Sequence, residues 1–165
     1  MNAVRAEVLK VVTTRLLLWF GLGLVAFVAL VVSTHVGTGD RAELATPSSQ
    51  RSLLEVAGLT GVIAVLVGSV LVTTEYAHGT INASFLAVPA RERLLSAKLA
   101  AAVAIGAVLA LLAVAATLVL GELWYAGRGI TLHLGNGTWH PLAGAIGAAV
   151  LAAAAGVGVG AILRR

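Results

Sequence analysis

The sequence predicts an all-α integral membrane protein. It has four transmembrane helices, an N-terminal amphipathic helix in the membrane interface, and a short helix in one cytoplasmic connection. Three observations carry this reading. Of 165 residues, 59% are hydrophobic and only 11% charged, where an ordinary soluble domain carries about 25%. The apolar residues gather in four blocks, each close to the roughly 20 residues that cross a hydrocarbon core as a helix. Lys and Arg are distributed unevenly among the segments between the blocks.

The blocks cover 16–36, 54–72, 99–120 and 142–163. Their glycines are tolerable in a lipid-embedded helix. With the N-terminus inside, the inner segments hold Arg5, Lys10, Arg15, Arg91, Arg93, Lys98, Arg164 and Arg165. The outer ones hold only Arg41, Arg51 and Arg128. Basic residues favour the cytoplasmic side, so both termini are expected in the cytoplasm, with the chain in the cell membrane. Trp19 falls near the inner interface, and Trp124, Tyr125 and Trp139 near the outer one, where amphipathic rings prefer headgroups. The first block is too long for a signal-peptide core and lacks an A-x-A cleavage site, so it is expected to stay as an anchor.

Segment 3–14 precedes the first span. Val4, Val8, Val11 and Val12 share one helical face, while Arg5, Glu7, Lys10 and Thr14 fall largely elsewhere. Two readings stand: an amphipathic helix lying in the interface, or a basic leader that only sets topology.

The connection 73–98 between spans two and three is the chain's most informative stretch. Ile81, Phe85 and Val88 repeat at helical spacing from Thr80. Gly79 frees the chain to turn before them, and Pro89 breaks the helix after them. Arg91, Glu92 and Arg93 then start a helix that enters the membrane after Lys98. Spacing alone is also met by a plain helical hairpin whose charges hold it at the surface.

Several classes are excluded. A net charge of +4 does not point to nucleic acid, because the cations flank apolar blocks. No cysteine is present, so disulfides and thiolate metal sites are absent. No nucleophile–base pair, metal constellation or intramembrane carboxylate pair points to an enzyme. His133 and His140 lack a neighbouring acid or cysteine and make a poor metal site. Asn136-Gly137-Thr138 reads as a turn. Ser33 and Ser69 are expected to bond their own helix backbone.

The motifs E-Y-x-x-G-T-I (from Glu75), V-P-x-R (from Val88) and L-L-S-A-K-L (from Leu94) appear in that order in the central connection. They resemble the loop between spans two and three of type-2 ATP-binding-cassette exporter permeases. Glu7 to Lys10, with Thr13 to Arg15, resembles the connecting helix of that family. Such permeases usually carry six spans, and the resemblance covers the first four. It implies a permease subunit of an ATP-driven exporter, paired with a second permease subunit and with an ATPase partner. The 73–98 loop would be its coupling element, through Glu75, Gly79, Thr80, Ile81, Phe85, Val88, Pro89, Arg91, Arg93 and Lys98. The interfacial helix would contribute Glu7 and Lys10. ATP and Mg would sit on the partner. Neither Lys10 nor Lys98 lies in the G-x-x-x-x-G-K-[ST] pattern of a phosphate-binding loop, so this chain is expected to bind no cofactor itself.

Span four carries Gly144, Ala148, Ala152, Gly156 and Gly160 at every fourth position, and span two has Ala57, Gly61, Ala64 and Gly68. Small residues at such spacing let membrane helices approach closely. This predicts either a moving or subunit interface or ordinary packing within one chain. Glu55 defines an alternative function. An acid inside a span suggests a proton-coupled exporter, whereas its neighbour Arg51 suggests an interfacial residue. A structural or regulatory membrane subunit is the remaining alternative.

Overall fold

The computed structural model describes residues 15–77, 91–133, 135 and 138–162. Among them every regular element is helical. Four stretches are long and apolar enough to cross a membrane: Leu17–Thr38, Pro47–Thr73, Ser96–Gly127 and Trp139–Ile162. The expected interfacial helix 3–14 and the short helix of the central connection lie outside the described residues.

Helix α1 runs Leu16–Thr38. The chain enters it through Arg15, whose φ of 56° lies in the left-handed region that a non-glycine residue adopts at a turn. Two short helices follow, α2 (Arg41–Leu44) and α3 (Pro47–Glu55). Thr46 caps α3, its side chain accepting from the Ser49 amide, and Pro47 occupies the first turn, where its missing N–H costs nothing. A 3-10 turn at Val56–Leu59 leads into α4 (Thr60–Ala77). The second span therefore has two helical parts, and its first part is a capped helix where sequence reading saw a loop. Helix α5 is continuous over Arg91–Gly127, 37 residues. At about 1.5 Å per residue it is about 55 Å long, well beyond a hydrocarbon core. Helix α6 covers Trp139–Ile162.

The terminus of α5 explains why the helix outruns the expected limit at Leu120. Gly129 adopts φ 65°, its amide bonds the Ala126 carbonyl, and the Ile130 amide bonds the Tyr125 carbonyl. This is a Schellman stop, and the buried Ile130 and Tyr125 supply its apolar contact. Tyr125 is fully buried, not an interfacial ring as its position suggested. Trp124 and Trp139 remain exposed.

The bundle buries one stripe of each helix and leaves large apolar side chains outside. Leu24, Val28, Val32 and Val36 of α1 face inward toward Ile105, Leu109 and Ala113 of α5. Leu18, Leu22, Leu30, Leu66, Leu111, Leu151 and Ile162 are exposed. A surface this apolar is stable in lipid and not in water. Helices apolar all round fit that setting.

One end of the bundle, the cap end, is built from residues 39–59, 128–133, 135 and 138. There Arg128 donates to the Gly37 carbonyl at 3.0 Å, and Arg41 to the Gly129 carbonyl at 3.1 Å. Each guanidinium sits at the C-terminal end of a long helix, where exposed carbonyls and the helix dipole favour a cation. Two of the three basic residues that run against the charge bias thus have local structural work. We expect Arg128→Ala to cost about 0.5–1.5 kcal/mol, the range of one hydrogen bond, read as a small loss of thermal stability in detergent.

Candidate coupling region and helix seam

The central connection stands on two feet, the end of α4 at Ala77 and the start of α5 at Arg91. Glu75 lies in the last turn of α4, and Arg91 and Arg93 in the first turn of α5. Gly79, Thr80, Ile81, Phe85, Val88 and Pro89 lie outside the described residues, as do Glu7 and Lys10. Lys98 lies two turns into the helix that Arg91 begins, just before the expected span, but it is buried. Only 6% of it is exposed, and its side chain is engaged inside the bundle.

The foot of α4 is fastened to α6 along a glycine seam. A β-carbon on Gly68 would meet the Ala153 carbonyl oxygen, and one on Gly156 would meet the Val65 carbonyl oxygen. One on Gly160 would sit 2.7 Å from the Ser69 oxygen. The two backbones therefore touch, which is how glycine lets membrane helices gain van der Waals contact. Ser69 Oγ donates within its helix to Val65 O at 2.9 Å and approaches Gly156 O at 3.1 Å. It does what sequence reading expected and bridges the two helices as well. Gly106 of α5 closes the same seam from the other side, 3.1 Å from the Ala149 oxygen as measured from a built β-carbon. Its span carries Ala102, Gly106 and Ala110 at the same spacing, a row that the sequence reading does not single out.

The every-fourth-residue ladder of span four does not run down one face. Gly156 and Gly160 are buried, Ala152 is half-buried, and Gly144 and Ala148 are exposed. The buried stripe is Ala145, Ala149, Ala153, Gly156 and Gly160. Four residues advance a helix by about 400°, so a strict four-residue row drifts about 40° per step. The ladder begins on the outside and rotates into the seam.

At the cap end the acid of the alternative reading is placed plainly. Glu55 Oε1 lies 3.7 Å from Arg51 Nε, with 60% of its side chain exposed. His133 does not meet a metal-type cluster: among the described residues no three His, Cys, Asp or Glu gather. Its backbone amide donates to Gln50 Oε1 and its Nδ1 lies 3.0 Å from the Thr131 carbonyl.

These features define a polytopic membrane protein whose helices pack by backbone contact. A family model described as ABC-2 family transporter protein matches residues 3–156. The chain belongs to that family and is a membrane permease component of an ATP-binding-cassette transporter. No curated protein and no solved structure matches it.

Proposed function

We propose that this permease works in an exporter of the cell membrane, with both termini cytoplasmic, and takes its energy from a partner ATPase that holds ATP and Mg. A second permease subunit completes the transport unit. The family match across 3–156 carries this reading. The central connection is the coupling element: Ile81, Phe85 and Val88 dock in a groove of the ATPase, and Arg91 and Arg93 meet acids on its rim. The basic pair Arg91 and Arg93 gives the connection a charge that acids on the ATPase rim would complement. A push on this element reaches α4 at one foot and α5 at the other, and the seam hands it on to α6 as rigid-body movement.

The proton-coupled alternative has no comparable support, because Glu55 is exposed beside Arg51. Affinity purification of the tagged chain from native membranes tests the proposal. The wild type should recover an ATP-binding-cassette ATPase, while Phe85→Asp and Arg91→Glu should each lose it by about thirtyfold, the scale of an interface hot spot. Equal recovery by all three would move the interface elsewhere. Recovery of the chain with no ATPase would favour a structural subunit.

A further inference from the structure

The two parts of the second span are held by different neighbours. Helix α4 is fixed to α6 through Gly68, Ser69, Gly156 and Gly160. Helix α3 is fixed to the cap end. Gln50, 5% exposed, donates from Nε2 to the Thr131 carbonyl at 3.2 Å and accepts the His133 amide at 2.9 Å. Ser49 Oγ lies 3.3 Å from His35 Nε2 of α1. Leu53 presses on Gly121 of α5. Between these two attachments lies the 3-10 turn Val56–Leu59, a geometry that in mid-helix often marks a hinge. Gly58 within it has open space where a β-carbon would stand. Beside Gln50 is a cleft of about 400 Å³ walled by Pro47, Arg51 and Leu54 on one side and His133, Gly135 and Thr138 on the other.

We propose that α3 is a hinged gate at the cap end of the permease. It turns about Val56–Leu59, and the double hydrogen bond of Gln50 to the 131–133 backbone latches it shut over the cleft. Gln50 suits this task. Both ends of its amide are used, so breaking the latch exposes a donor and an acceptor that must find water, and opening also parts Ser49 from His35. The rest of α3 contributes apolar contact that a pivot can shift without unpicking the seam. Arg51 travels with the gate, and His133, Gly135 and Thr138 form the wall that it uncovers.

The chain has no cysteine, so single reporters can be placed cleanly. Thr138→Cys sits in the cleft at a position 6% exposed. Ala64→Cys sits in the α4–α6–α5 core at a fully buried one. Maleimide labelling is followed on the purified full chain in nanodiscs, where both membrane faces meet the reagent and neither transport nor the ATPase is required. Gln50→Ala should raise labelling at Thr138→Cys about tenfold, the equivalent of roughly 1.4 kcal/mol of lost latch. Gln50→Glu, which keeps the bond from His133 but cannot donate to Thr131, should raise it less. Gly58→Ala, which fits without collision and stiffens the turn, should lower it. Labelling at Ala64→Cys should stay unchanged in all three. Equal rates at Thr138→Cys in every background would overturn the gate. So would a parallel rise at Ala64→Cys, which would mean general loosening.

Discussion

Replacing Gly156 or Gly68 with leucine is expected to abolish the folded bundle, and alanine alone is expected to cost at least about 2 kcal/mol. The reason is where the new atoms go. A β-carbon at Gly68 meets the Ala153 carbonyl oxygen, and one at Gly156 meets the Val65 carbonyl oxygen. Backbone cannot rotate aside as a side chain can, so α4 and α6 must separate along their whole contact. Overpacking of well-packed sites costs about 1–3 kcal/mol when neighbours adjust, and here they have little room to do so. Gly144→Ala and Gly147→Ala provide the contrast on the same helix. Both positions have open space where the methyl would stand, and alanine gains up to about 1 kcal/mol of helix propensity over glycine. Thermal unfolding of the four variants in one detergent separates the sites. If Gly144→Ala proved as damaging as Gly156→Ala, the rotating ladder would be wrong and its outer residues would have a partner of their own.

A disulfide joining positions 61 and 152 should form readily and stabilise the protein by about 2–4 kcal/mol. A β-carbon built on Gly61 stands 3.8 Å from the Ala152 β-carbon, near the mean spacing in disulfides of about 3.8 Å. The double variant Gly61→Cys/Ala152→Cys would close a loop of about 90 residues, long enough for a large effect in the chain-entropy account. Mild oxidation should shift its electrophoretic mobility and raise its melting temperature, and each single variant should show neither change. The functional outcome matters more. If α4 and α6 act as one body, the oxidised protein should stimulate the proposed ATPase partner as well as the reduced one does. A loss of stimulation reversed by reductant would mean that the helices slide during turnover.

Much of this architecture was legible in the sequence. Four spans follow from hydropathy, because each helix is apolar all round and lipid demands little more. The misplacements have physical causes. Helix α3 was read as loop because Ser48, Ser49, Gln50 and Arg51 look hydrophilic, although Thr46-Pro47 is a capped helix start and Gln50, Leu53 and Leu54 make its buried side. The extension of α5 past Leu120 was missed because Gly121 and Glu122 resemble an exit, while the true stop is Gly129. Tyr125 was assigned to headgroups by residue type, which carries no information about the neighbours that cover it. The ladder of span four was recognised by spacing, but a spacing of four is not the helical period. The burial of Lys98 is not legible, because charge predicts an exposed ammonium at the membrane surface. The coupling residues from Gly79 to Pro89 lie outside the described residues and rest on motif order and on the family.

The bond from Ser69 to Gly156 spans 87 residues of sequence, and this has a consequence for biosynthesis. A ribosome adding about 5–20 residues per second delivers Gly156 roughly 4–17 seconds after Ser69. During that interval α4 resides in the bilayer with its closest-fitting surface unmatched and its glycines open to any passing helix. Ser69 is already bonded to Val65 of its own helix, so the nascent span carries no stranded hydroxyl through the wait. The second bond is added when α6 arrives, which makes insertion of α4 independent of α6 and leaves final assembly dependent on it.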